Sequence, residues 1–303
     1  MTDPAPADRP VTDPAIAKPA TFGLRTRAAL TRYGALCVGI DPHESLLVDW
    51  GLEVSAAGVR EFGLRTIEAA AGRVGFVKPQ VAFFERFGSQ GFAALEDVLA
   101  AGRQAGLVVI ADAKRGDIGS TMDGYAAAWL AEGAALEADA LTLSPYLGPD
   151  SLRPTIAQAA RAGKGVFVLS ATSNPEAFGV QSAEVTTVEA GEGESVADWI
   201  ARAIGWANAS ADDLGPAGLV VGATVERERI GLSDEALASA PILAPGFGAQ
   251  GALPADLGRL FGPVAHNVIA SESRSVLSAG PAGIAARIDE RARLYVREEV
   301  RDA

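Results

Sequence analysis

The sequence predicts a single (β/α)8 barrel over residues 21–303, preceded by a flexible leader, residues 1–20. Eight short apolar runs recur along the chain. They are continuous rather than alternating, as parallel strands covered on both faces require. Longer stretches of helical periodicity separate them. Eight such units in about 270 residues have the size and count of a closed barrel. A doubly wound open sheet is the structural alternative. No internal linker or shift in composition divides the chain in two.

The leader, MTDPAPADRPVTDPAIAKPA, is rich in Pro, Ala and Asp and offers no apolar face. The strand candidates follow as ALCVGI (35–40), VGFVK (74–78), LVVIAD (107–112), ADALTLS (138–144), GVFVLSA (165–171), GLVVGAT (218–224), PILAPG (241–246) and HNVIAS (266–271). Helices are expected near 56–72, 89–105, 120–133, 150–162, 195–210, 226–238, 254–260 and 281–299. Pro149 and Asp150 mark the start of one, and Gly163 its stop. Residues 173–194 form one long connection with little periodicity, a length typical of lids and binding loops.

Composition excludes several classes of function. Net charge is −12, which argues against a nucleic-acid partner bound by bulk electrostatics. A local basic pocket for a small anion stays possible on such a surface. Cys37 is the only cysteine, so no internal disulfide and no cysteine metal cluster can form. His43 and His266 are the only imidazoles, and neither lies in a metal or triad motif. No apolar run of membrane-spanning length and no signal-peptide pattern is present, so a cytoplasmic enzyme is expected. Cys37 reads as core, and His43 as decoration of the first loop.

Lysine is scarce. It occurs at positions 18, 78, 114 and 164, against 22 arginines. Unlike arginine, lysine can lose its proton near neutral pH in a tuned environment. Lys18 lies in the leader, and Lys164 follows a glycine at a helix end, where solvent exposure is expected. Lys78 and Lys114 end apolar runs.

In a barrel the strand C-termini and following loops form the active face, and the unusual polar clusters fall there. Asp41 follows strand 1, Lys78 ends strand 2, Asp112 and Lys114 end strand 3, and Asp117 begins the next loop. Two residues apart on a strand, Asp112 and Lys114 face one side. Lys78 from the adjacent strand can join them, and alternating charges hold one another ionised and in place. A purely structural salt-bridge network is the alternative. PGFGAQG (245–251) and SESRSV (271–276) lie where barrels commonly bind phosphate, with Gln250 and Arg274 as donors. TSNP (172–175) reads as a turn in which Ser173 offers a hydroxyl to a flat polar ligand.

DAKRGDIGST (112–121) resembles the signature of the orotidine 5′-phosphate decarboxylase family, D-x-K-x-x-D-I-x-x-T, with Asp112, Lys114, Asp117, Ile118 and Thr121 in place. GIDP, FVKPQ, PGFGAQG and the Ser-Arg pair at 273–274 resemble the family's other segments, in order, from about residue 33 to 277. KPQ, TSNP and the longer chain resemble its bacterial subgroup with longer loops. The resemblance implies a cofactor-free decarboxylation giving UMP, the last step of pyrimidine nucleotide synthesis. Lys114 would protonate C6, and Asp112 would sit against the substrate carboxylate. Lys78 and Asp117 would complete the array. Asp41 and Lys78 would hold the ribose, Ser173 the pyrimidine, and Gln250 and Arg274 the phosphate. In a homodimer, Asp117, Ile118 and Thr121 would serve the neighbouring site. Competing expectations are a magnesium-dependent sugar-phosphate decarboxylase or aldolase of the same barrel superfamily, and a non-catalytic nucleotide-binding protein.

Overall fold

Eight parallel strands close into a barrel in sequence order, the last pairing with the first. They are β1 (Leu36–Ile40), β2 (Phe76–Pro79), β3 (Val108–Arg115), β4 (Ala140–Leu143), β5 (Gly165–Ala171), β6 (Ala217–Val221), β7 (Ile242–Pro245) and β8 (Val268–Glu272). Each falls on one of the eight apolar runs, and closure rules out the open sheet. The computed structural model describes residues 20–186 and 193–296. The expected leader lies outside them apart from Ala20, as does the middle of the 173–194 connection.

Helices Ala56–Ala70, Gly88–Gln104, Gly119–Leu130, Arg153–Arg161, Val196–Gly205 and Gly280–Arg293 match expected ones. The segment 226–238 is instead two short pieces, Arg227–Ile230 and Asp234–Leu237, because Gly231 turns left-handed at φ +67° between them. The 173–194 connection carries local structure, with helical turns at Pro175–Ala177 and Phe178–Gln181. It returns through an antiparallel bridge between Glu184 and Ser195. Among the described residues no helix is long and apolar enough to cross a membrane.

Strand alternation sorts the core into two layers. Leu36, Val38 and Ile40 face the surrounding helices, whereas Cys37, Phe76, Val108, Ile110, Ala140, Phe167, Val220, Leu243 and Ile269 fill the barrel. The next inward positions toward the strand C-termini are Lys78 above Phe76, Asp112 above Ile110 and Thr142 above Ala140. Strand parity turns both layers inward, and apolar packing ends where the charged side chains begin.

The opposite end is plugged by a helix the sequence did not announce, Phe22–Tyr33. Phe22 is buried edge-on against Phe167, ring centroids 6.0 Å apart. Gly165 leaves the room, since a Cβ there would lie 2.2 Å from the Phe22 ring. Arg25 of this helix pairs with Asp139 at 2.5 Å. Lys164, expected in solvent, is buried and donates to Glu137 at 2.6 Å. Its partner lies 27 residues away, beyond the reach of local pattern.

Candidate active site

Lys78, Asp112 and Lys114 meet at the mouth of the barrel. Lys78 Nζ donates to Asp112 Oδ2 at 2.8 Å, and Lys114 Nζ donates to Asp112 Oδ1 at 2.6 Å. One buried carboxylate is thus shared by two ammonium groups. Burial pushes the Asp112 carboxyl up, but the two lysines outweigh it and hold its pKa well below the usual range. Burial pushes Lys78 down, and the carboxylates of Asp112 and Asp41 outweigh that, holding it above the usual lysine value. Lys78 is enclosed, whereas 46% of the Lys114 side chain faces the open mouth. Of the two ammonium groups, Lys114 is the one positioned to reach an entering molecule.

Asp41, just after β1, is half-buried, and its Oδ1 has no hydrogen-bond partner among the described residues. Register pairs Gly39 with Lys78, which brings Asp41 beside Lys78. The loops after β1 and β2 lean on each other through the His43–Phe83 ring contact and the Arg86–Glu44 pair. Cys37 lies below this layer, buried, and burial, opposed by Lys78, pushes its thiol up to about 12. It stays protonated at neutral pH, as a core residue rather than a nucleophile.

Asp117 does not join the triad within its own chain. Its Oδ1 accepts from the Ile118 backbone N–H at 2.8 Å. Ile118, 61% exposed, caps the helix that begins at Gly119, and Thr121 is exposed in its first turn. Gly116 packs this loop onto the next, since a Cβ there would lie 2.5 Å from the Ser144 carbonyl oxygen. Tyr146 and Leu147 stand exposed on that next loop.

The phosphate candidates also converge. Gly246, Gly248 and Gly251 take φ of +117°, +70° and +114° and fold the β7 loop tightly. A Cβ on Gly248 would lie 2.5 Å from Ser275 Oγ, so this loop rests on the first turn of the helix Arg274–Leu277. Gln250 and Arg274 are both exposed there, and Arg274 is in no ion pair with a described carboxylate. Ser173 is exposed across the mouth, against Gly222 at the end of β6, in a cleft of about 150 Å³ lined also by Phe178, Gln181 and Arg229. A larger cavity of about 1020 Å³ lies by the N-terminal ends of β1 and β8, away from the charged triad.

Two residues had not been singled out. Thr142 Oγ1 donates to Asp112 Oδ1 at 3.0 Å. Its signal was a hydroxyl inside an apolar strand. Glu272 is fully enclosed and accepts from Arg291 at 2.5 and 2.9 Å, Tyr295 at 2.6 Å and Ser275 at 2.5 Å. It anchors the C-terminal helix and the Arg274 turn to β8. Its signal was a carboxylate between the strand end and the arginine expected at the phosphate.

Comparison with known proteins identifies the family. The profile of the orotidine 5′-phosphate decarboxylase / HUMPS family matches residues 34–287. The chain is 50% identical over 261 residues to the orotidine 5′-phosphate decarboxylase of Streptomyces coelicolor, covering 86% of this chain and 91% of that one. It is 52% identical over 257 residues to that of a Nocardioides species, covering 84% and 91%. A crystal structure from Streptomyces avermitilis, assigned as orotidine 5′-phosphate decarboxylase, superposes with TM-score 0.84 at 46% identity over 91% of this chain and 95% of that one. The chain belongs to the orotidine 5′-phosphate decarboxylase / HUMPS family.

Proposed function

We propose that the chain decarboxylates orotidine 5′-phosphate to UMP and CO2, with Lys114 delivering the proton. The observation that carries this reading is the Lys78–Asp112–Lys114 array at the mouth of the barrel. Breaking the C6–carboxylate bond leaves an electron pair on C6 with little resonance relief. The array answers with fixed positive charge where that pair develops. Lys114 Nζ then gives its proton to C6, forming the C–H bond as CO2 leaves. Asp112 orients Lys114 and lies where the substrate carboxylate would come.

The phosphate is assigned to Gln250 and Arg274, with Asp41 and Lys78 on the ribose and Ser173 on the pyrimidine. Phosphate binding far from the reacting carbon supplies anchoring energy. The active species is a homodimer in which Asp117, Ile118 and Thr121 complete the neighbouring site. Supporting this, Asp117 stands apart from its own triad, and Ile118, Tyr146 and Leu147 expose apolar surface on two packed loops.

No cofactor is assigned. The test is turnover of orotidine 5′-phosphate, read as loss of its ultraviolet absorbance, with and without exhaustive chelation. Full activity in chelator is expected. Loss of activity restored by magnesium would favour the sugar-phosphate branch of the family.

A further inference from the structure

β3 and β4 pair in register at Ile110–Ala140 and Ala111–Leu141, and next at Arg115–Leu143. Three residues, Asp112, Ala113 and Lys114, therefore stand opposite one, Thr142. Such a bulge breaks the ladder and re-aims side chains. Lys114 absorbs the distortion. At φ +49° it is the one non-glycine residue with positive φ among the described residues. Side-chain-bearing residues avoid that region unless their surroundings impose it.

Thr142 stands opposite this distortion. The Lys114 backbone N–H donates to Thr142 Oγ1 at 2.8 Å. The same hydroxyl gives its own hydrogen to Asp112 Oδ1 at 3.0 Å. Asp112 Oδ1 in turn accepts from Lys114 Nζ at 2.6 Å. One hydroxyl thus closes a ring through both ends of the lysine, its amide and its ammonium. A hydroxyl has a single hydrogen to give, so the donor direction is fixed. The β-branched side chain is stiff at χ1 and 1% exposed.

We propose that Thr142 is a positioning residue for Lys114, fixing through one hydroxyl the strained backbone that carries the lysine and the carboxylate that orients its ammonium. The proposal rests on the reading of Lys114 as proton donor. Thr142 is buried in the same layer as Lys78 and Asp112, and no hydrogen bond joins it to Gln250 or Arg274. Losing its hydroxyl should therefore slow the chemical step and leave phosphate-driven binding nearly intact.

The test compares Thr142→Val, which keeps the shape and removes the hydroxyl, with Thr142→Ser, which keeps the hydroxyl. Rates are taken per UMP-binding site, counted by calorimetry, so that misfolded protein does not enter. Thr142→Val is expected to lower kcat by about 30-fold or more, given that displacement of a catalytic group by about 1 Å can cost on the order of 100-fold. KM and the UMP Kd should stay within about threefold, and Thr142→Ser should return kcat to within about threefold of the native value. A Thr142→Val kcat within about threefold of native would overturn the proposal, as would a Thr142→Ser enzyme as slow as the valine variant. Should Thr142→Val not fold, Thr142→Ala against Thr142→Ser makes the same comparison. Lys114→Ala in the same series separates the two levels. Retained turnover there would sink the proton-donor reading itself. Lost turnover there with native Thr142→Val would sink only the role of Thr142.

Discussion

Lys78 reaches Asp112 Oδ2 at 2.8 Å across the β2–β3 ladder, leaving Oδ1 free to accept Lys114. Those two strands meet in register at Phe76–Val108 and Val77–Val109, so the ion pair stands directly on apolar rungs. Burying a carboxylate there is tolerable only because two cations and a hydroxyl face it.

Stability should therefore depend on pH through this pair in a definite sense. The folded pKa of Asp112 lies below the usual 3.8, so its contribution is present above that value and is lost as pH falls through the folded pKa. The folded pKa of Lys78 lies above the usual 10.5, so its contribution is full below that value and is lost as pH rises through the folded pKa. Urea unfolding of the native protein and of Asp112→Asn should differ by a constant amount between roughly pH 5 and pH 9, the gap closing toward pH 3. A gap that stays constant down to pH 3 would mean that folding does not lower the Asp112 pKa.

Glu272→Gln should destabilise the protein by about 2–4 kcal/mol, because it leaves the part-buried Arg291 guanidinium without its counter-charge. The β7 loop and the Arg274 turn rest on the same carboxylate, so UMP affinity should fall as well. Equilibrium unfolding and calorimetry read the two effects. Native stability in this variant would mean that Arg291 finds solvent at no cost.

The eight strands were legible because parallel strands buried on both faces leave unbroken apolar runs, and the charged array of the candidate site was legible because polar residues interrupt those runs at their C-terminal ends. What stayed hidden depends on contacts distant in sequence. The Phe22–Tyr33 helix buries Phe22, Gly23 and Thr26 against the barrel floor, too sparse a stripe to stand out. Lys164 is buried only because Glu137 meets it across 27 residues. Thr142 reads as one more strand residue until the β3 bulge places three residues opposite it.

Arg274→Ala should weaken UMP binding by about 2–4 kcal/mol, roughly 30- to 700-fold in Kd, by removing a charge-assisted contact to a dianion. The free protein should keep its stability, since Arg274 is exposed and unpaired with any described carboxylate. Calorimetric titration with UMP checks this. Unchanged affinity would place the phosphate elsewhere.

Mixing Asp117→Ala with Lys114→Ala subunits should restore activity that neither has alone. If Asp117 serves the neighbouring site, each mixed dimer holds one wholly native site. Random exchange at equal amounts puts half the dimers in that state, so about a quarter of native turnover is expected. No recovery, with subunit exchange shown by mass spectrometry, would place Asp117 in its own chain's site.

Lys114→Arg separates catalysis from charge pairing. The substitution keeps a cation beside Asp112 and keeps the backbone amide that Thr142 accepts, so the barrel mouth should stay folded. A salt-bridge network with no chemistry would survive it. Proton delivery would not, because the arginine pKa is too high for ready transfer to carbon. The planar guanidinium also cannot set a compact charge where the C6 electron pair forms, and displacement of about 1 Å can cost on the order of 100-fold. Turnover below about 1% of native is therefore expected, with UMP affinity changed far less. The chain uses arginine 22 times against four lysines, so compositional habit does not account for a lysine here. Turnover at a tenth of the native rate or more in Lys114→Arg, measured per UMP-binding site, would remove Lys114 as the proton donor.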